Sequence, residues 1–171
     1  MVVAVTGASG YIGTRLLRNL EEEGAQRKLV AIDTRPLPFP VHNITVHRQD
    51  VSESIEDILQ RSRVTTLVHL AFISRRGRNR REVAEIRQKN QDALRTVLDS
   101  CLRARVRHFI YLSSYTVYGA HPDNPIPLTD EAPLRPTPDF PYGYDKFLAE
   151  QMIDEFARQH EKTLVTILRP C

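Results

Sequence analysis

The 171-residue sequence has no tryptophan, two methionines and two cysteines. Cys101 and Cys171 form no C-x-x-C pair and no disulfide framework, so they read as free thiols of a reducing compartment, the cytoplasm. Nothing has metal-ligand spacing, and no metal is expected. No apolar run approaches the roughly 20 residues of a membrane helix, and no membrane partner is expected. Met1 leads straight into "VVAVTG", without the basic and apolar regions of a signal peptide. Neither sign of charge dominates: 24 Lys and Arg stand against 21 Asp and Glu. The pI of about 9.0 suits a nucleotide as well as nucleic acid. There is no internal repeat and no low-complexity segment. Glycine is scarce too, with seven in all, yet three of them fall within the first thirteen residues.

What is present is 41% apolar residue, enough for a core, in a length that suits one domain or part of a larger protein. "VVAV" (2–5), "KLVAID" (28–33), "NITVHRQD" (43–50), "TTLVHLAF" (65–72), "RHFIYLSS" (107–114) and "TLVTILRP" (163–170) read as six strands. They are apolar nearly throughout, as in a sheet covered on both faces. Between them, Ile12, Leu16, Leu17 and Leu20 have helical spacing with Gly24 as a stop. "SESIEDILQRS" reads as a helix capped by Ser52. A long helix spans about 82–105, and another runs from "YGYDK" to about residue 162. "RPLPFP" and the proline-rich stretch 118–141 are loops. This alternation predicts an α/β fold, a doubly wound parallel sheet with helices on both faces. Right-handed crossovers gather the C-terminal ends of the first, fourth and fifth strands along one edge, where such sheets bind ligands.

Three constellations fall on that edge. "TGASGYIG" places Gly7, Gly10 and Gly13 in a G-x-x-G-x-x-G spacing between a strand and a helix, off the usual G-x-G-x-x-G pattern. It reads either as a tight turn or as a cradle in which the Tyr11 and Ile12 amides hold a pyrophosphate. Asp33 ends the next strand, where an acidic residue binds the ribose 2′-OH of NAD and repels the 2′-phosphate of NADP. Arg35 could reverse that preference, so NAD is favoured and NADP stays open. Tyr142 and Lys146 are spaced i, i+4 on one helix face; an ammonium there would favour the phenolate and hold a cofactor ribose. Ser113 and Ser114 end the fifth strand, where a hydroxyl would orient a substrate oxygen or simply cap the strand. "RRGRNRR" (75–81) carries five arginines near the same edge. It would meet phosphates or remain a solvated loop, and without interleaved aromatics nucleic acid is a poor fit.

Taken together, "TGASGYIG", "AID", "QDV", "LVHLAF", "YLSSYTVYG", "YGYDK…AE" and "ILRP" resemble the extended short-chain dehydrogenases/reductases, the NAD-dependent epimerase/dehydratase group. That family uses the G-x-x-G-x-x-G spacing. The resemblance implies a Rossmann-type sheet in the order 3-2-1-4-5-6. It implies cofactor contacts from Gly7, Gly10, Tyr11, Ile12, Gly13, Asp33, Asp50 and Val51, and from the Leu70–Ala71–Phe72 segment. The family usually has a second alanine where Phe72 stands. Lys89 and Asn90 match a supporting polar pair, and Pro170–Cys171 match a backbone contact to the nicotinamide end. Ser114, Tyr142 and Lys146 match the catalytic positions, with Ser113 beside them. Tyr115 and Thr116 stand where 4,6-dehydratases carry Asp-Glu, which argues against that subgroup. The implied substrate is a nucleotide-linked sugar, and the implied partner a second copy paired through helices 82–105 and 141–160. Since the family has a C-terminal substrate domain and the chain stops after "ILRP", residues 1–171 are expected to be the cofactor domain alone. The alternative is a Rossmann protein that senses a dinucleotide, or serves as structure, without turnover.

Overall fold

The run Val2–Thr6 forms β1, an interior strand whose alternation decides which side chain serves which face of the sheet. Val3 and Val5 enter one layer with Leu17 of α1 (Tyr11–Glu22) and with Leu29 and Ala31 of β2 (Lys28–Asp33). Ala4 enters the other. There it joins Leu67 of β4 (Thr66–His69), Phe109 and Tyr111 of β5 (His108–Leu112), Leu94 and Val97 of α3 (Arg80–Arg103), and Ile153 and Phe156 of α4 (Pro141–Gln159). The remaining elements are β3 (Ile44–Arg48), α2 (Glu56–Arg61) and β6 (Leu164–Leu168). This is a computed structural model that describes residues 1–24 and 27–171. The strands are parallel and ordered β3-β2-β1-β4-β5-β6, as expected. Thr6 is in register with Ile32 on one side and His69 on the other, so the β1, β2 and β4 ends lie level at one edge.

Several expected boundaries move, each for a local reason. Ser52 does not cap α2: its N–H is held by Asp50 Oδ1 at 2.9 Å in a preceding turn. The helix begins at Glu56, whose N–H is bonded by Ser54 Oγ at 3.3 Å. β4 ends at His69 rather than Phe72, because its neighbour β1 ends at Thr6 and leaves Leu70–Phe72 beyond the ladder. α3 starts two residues early, since Asn79 Oδ1 caps it by accepting from Glu82 N at 2.9 Å. β5 ends at Leu112, and Tyr115–Tyr118 fold into a 3₁₀ turn capped by Ser114.

One buried ion pair fixes the far side of this edge. Glu150, fully buried on α4, meets Arg169, just past β6, through contacts of 2.8 and 3.1 Å. Arg169 also donates to the Tyr118 hydroxyl at 2.9 Å, and Ser113 Oγ donates to Glu150. The network therefore ties α4, β6 and the turn after β5 together. Removing one member of a buried pair strands the other charge, at a cost of about 3–5 kcal/mol. Glu150→Ala should lower the unfolding free energy by about that amount in urea titration. A change within about 0.5 kcal/mol, typical of surface sites, would contradict the role given to this pair.

Candidate active site

After Thr6 the chain turns through Gly7 at φ +67°, a left-handed conformation that suits glycine. A Cβ on Gly7 would lie 2.7 Å from the Ala71 nitrogen, so the β1–α1 turn and the segment after β4 meet backbone to backbone. A Cβ on Gly13 would lie 2.4 Å from the Gly7 carbonyl oxygen, so α1 begins directly against that turn. Gly10 caps α1 without a side-chain acceptor, which leaves the first-turn N–H groups of Tyr11 and Ile12 and the positive helix end for an anion. The side chains of Tyr11 and Ile12 are exposed.

This turn borders a groove of about 680 Å³. Gly7 and Gly10 line it on one side. Asp33 and Arg35 close its β2 end, with Asp50 and Val51 after β3 next to them. Leu70, Ala71 and Phe72, with Lys89 and Asn90 of α3, form the opposite wall. Asp33 is held by two backbone donors, Ser9 N on Oδ2 and Arg35 N on Oδ1, both at 2.9 Å. Arg35 Nε lies 3.7 Å from the same carboxylate. Asn90 holds the wall in place, accepting from Ile73 N at 2.8 Å and donating to Ile73 O at 3.1 Å.

At the other end of the edge stand Ser114, Tyr142 and Lys146. Ser114 Oγ accepts from Thr116 N at 3.3 Å and from Thr116 Oγ1 at 3.0 Å. Both acceptor positions are thus taken, and its own proton is left free to donate. Burial raises the Tyr142 pKa, and the hydrogen bond from Ser114 pulls it back without cancelling the rise. Lys146 is one helical turn further along α4 and 4% exposed. Burial lowers its pKa to about 7, against an upward pull from Glu150. Its Nζ donates to Leu112 O at 2.7 Å and Tyr111 Oη at 3.2 Å and lies 3.9 Å from the Phe72 ring centroid. The ammonium is 5.9 Å from the Tyr142 ring centroid, a range over which a cation favours the phenolate. The site holds a phenol with a hydroxyl donor beside it and a cation behind it, the parts needed to pass a proton to or from a substrate oxygen.

Two further expected contributors stand beside Ser114. Ser113 is buried with its hydroxyl on Glu150, and the Pro170 carbonyl accepts from Tyr115 N at 3.1 Å. Three of the five arginines have carboxylate partners: Arg75 and Arg78 bind Glu82, and Arg81 binds Glu85, all with exposed guanidinium side chains. Backbone and side-chain donors from Arg78 and Arg75 hold the Glu82 pKa down at about 2. Of these arginines, Arg75 and Arg76 line a second cavity, of about 280 Å³, beside Tyr142. Sequence reasoning missed Thr116, Tyr111 and the buried His69. His69 Nδ1 meets Thr6 Oγ1 at 2.7 Å, and burial, with the nearby Lys146 charge, lowers its pKa to about 3. The "S-x-T" spacing at 114–116 was the available clue to Thr116.

Residues 3–171 match the NAD dependent epimerase/dehydratase family, and the chain belongs to that family. Among characterised relatives, the UDP-glucose 4-epimerases of Erwinia amylovora and Yersinia enterocolitica are each 30% identical over 183 residues, covering 99% of this chain and 52% of theirs. The chain thus spans about half the length of the curated relatives it matches. MoeE5, solved with UDP-glucuronic acid and NAD, superposes with a TM-score of 0.84 at 30% identity, over 99% of this chain and 54% of that one. The Thermotoga maritima UDP-glucose 4-epimerase, solved with UDP-glucose, has a TM-score of 0.85 at 24% identity over 99% and 55%, a likeness of fold.

The buried lysine has a pH consequence. Its folded pKa of about 7 lies below the free value of 10.5, so between those limits the unfolded chain binds more protons. Stability contributed by this residue therefore rises with pH across that window, by at most about 1.4 kcal/mol per unit. Lys146→Met removes the rise, so the wild-type minus variant difference in unfolding free energy should grow from pH 7 to pH 10. A difference that stays flat would mean Lys146 titrates as an exposed lysine.

Proposed function

We propose that residues 1–171 form the NAD-binding unit of an epimerase or dehydrogenase/reductase acting at a hydroxyl or carbonyl carbon of a nucleotide-linked sugar. The observation that carries this reading is the single edge on which the glycine turn, the Asp33 carboxylate and the Ser114–Tyr142–Lys146 group stand together. The residues present fit the cofactor: uncapped first-turn amides suit a pyrophosphate, and the backbone-fixed Asp33 suits ribose hydroxyls. Gly7, Gly10, Gly13, Tyr11 and Ile12 would hold the pyrophosphate. Asp33, Asp50 and Val51 would hold the adenosine, and Lys146 the second ribose. NAD supplies the hydride acceptor when bound. Tyr142, ionised to the phenolate beside the Lys146 ammonium, takes the proton of the substrate hydroxyl, and Ser114 orients that oxygen and stabilises its developing charge. The relatives named for UDP-glucose 4-epimerase activity support the sugar assignment.

Asp33 with Arg35 decides between the two dinucleotides. The carboxylate would face the 2′-phosphate of NADP, and Arg35 is already turned toward that carboxylate. A homodimer through α3 and α4, residence in the cytoplasm and no nucleic-acid partner complete the proposal. Sedimentation at high concentration should give twice the chain mass.

Calorimetric titration should show NAD⁺ binding and NADP⁺ binding more weakly, with Asp33→Ala weakening NAD⁺ by about tenfold or more. Tyr142→Phe should lower kcat on a UDP-sugar by about 10²–10⁴-fold and leave NAD⁺ affinity within about twofold. If NAD⁺ binds and Tyr142→Phe turns over like the wild type, the dinucleotide-sensing alternative is the right one.

A further inference from the structure

Phe72 stands where the family resemblance leads one to expect a small residue, and its ring touches both members of the Tyr142–Lys146 pair. The Lys146 ammonium has three N–H donors. Two find oxygens, Leu112 O at 2.7 Å and Tyr111 Oη at 3.2 Å. Near the third direction lie aromatic faces, with the Phe72 centroid closest at 3.9 Å, ahead of Tyr111 at 4.6 Å and Tyr142 at 5.9 Å. The same Phe72 ring stands edge-on to Tyr142, with centroids 5.8 Å apart and planes at 88°. Half-buried, it lines both the groove over the sheet edge and the 280 Å³ cavity beside Tyr142, so it is the wall between them.

The backbone on either side of Phe72 is pinned. Leu70 N bonds Thr6 O at 3.2 Å, Ala71 N reaches Thr6 Oγ1 at 3.5 Å, and both polar groups of Ile73 are taken by Asn90. Freedom at this position therefore lies in the side-chain torsions. Of the three contacts to the ammonium, the one to the ring is the weakest, since a cation over a neutral aromatic face is held less tightly than a cation donating to oxygen. An incoming hydroxyl displaces that contact first.

We propose that Phe72 is a positioning residue that holds the Lys146 ammonium in the place of a ligand hydroxyl and must turn aside before a dinucleotide's second ribose reaches it. This rests on the NAD reading above. The ring is an internal competitor: it keeps the cation ordered and keeps groove and cavity apart until a hydroxyl-bearing ligand replaces it. Its effect is confined to ligands long enough to reach Lys146. ADP, which carries the adenosine and both phosphates but no second ribose, fills the glycine and Asp33 end and stops short of Lys146.

The test measures Kd for NAD⁺ and for ADP by calorimetry on the wild type, Phe72→Ala, Phe72→Leu and Phe72→Tyr. Phe72→Leu keeps most of the bulk and loses the aromatic face, which guards against a folding defect in the alanine variant. Phe72→Tyr keeps the face. The expected result is NAD⁺ bound about 3- to 10-fold more tightly by the alanine and leucine variants, ADP unchanged in all, and the tyrosine variant like the wild type. Equal shifts for NAD⁺ and ADP would show a structural role and overturn the proposal. So would NAD⁺ affinity unmoved or weakened in the leucine variant. Failure of the wild type to bind either ligand would instead remove the NAD reading itself, and this proposal with it.

Discussion

The Lys146 ammonium is buried where β5, α4 and the segment after β4 converge, and the side chains around it take their positions from how that charge is satisfied. A bare ammonium in such a place is costly, and burial lowers its pKa to about 7 against an upward pull from Glu150. Two oxygens and an aromatic face compensate in part. Each of those partners comes from a different structural decision. The Leu112 carbonyl is free because β5 ends there; the Tyr111 hydroxyl is buried because its strand alternates inward; Phe72 is present because β4 runs out at His69. The edge that gathers these groups is therefore a consequence of where the strands stop.

Glu150 extends the same logic one turn further along α4. Tyr142, Lys146 and Glu150 follow one another at i, i+4 and i+8, so one helix face presents a phenol, a cation and an anion in order along the sheet edge. Glu150 steadies the Lys146 charge and holds Arg169, which reaches Tyr118 at the end of the 3₁₀ turn that Ser114 caps. Ser114 is set in turn by Thr116, whose N–H and hydroxyl both donate to its Oγ. The acid–base group is thus braced from behind by an ion pair and from the side by a threonine.

Much of this was legible in the sequence because it is local. Short β-branched runs and their alternation with helical patterns gave all six strands, their parallel order followed from the resemblance, and the i, i+4 spacing of Tyr142 and Lys146 holds on any helix. What escaped depends on contacts between distant segments. Ser52 looked like a cap, yet it belongs to a turn closed by Asp50 and the helix begins four residues later, at Glu56. Asn79 and Glu82 carried the N-x-x-E pattern of a helix start, and the arginines around them hid it. Those arginines looked available because their carboxylate partners, Glu82 and Glu85, lie a helical turn or more along. The ammonium's partners, Tyr111 and Leu112, are more than thirty residues from Lys146, beyond any periodicity argument.

A crystal structure determined with NAD⁺ tests the account most directly. The account predicts the pyrophosphate over the first turn of α1, the adenosine ribose on Asp33 and the second ribose within hydrogen-bonding distance of Lys146 Nζ. Dinucleotide bound away from the Gly7–Gly10 turn, or bound there with Lys146 out of reach of any ligand oxygen, would contradict it.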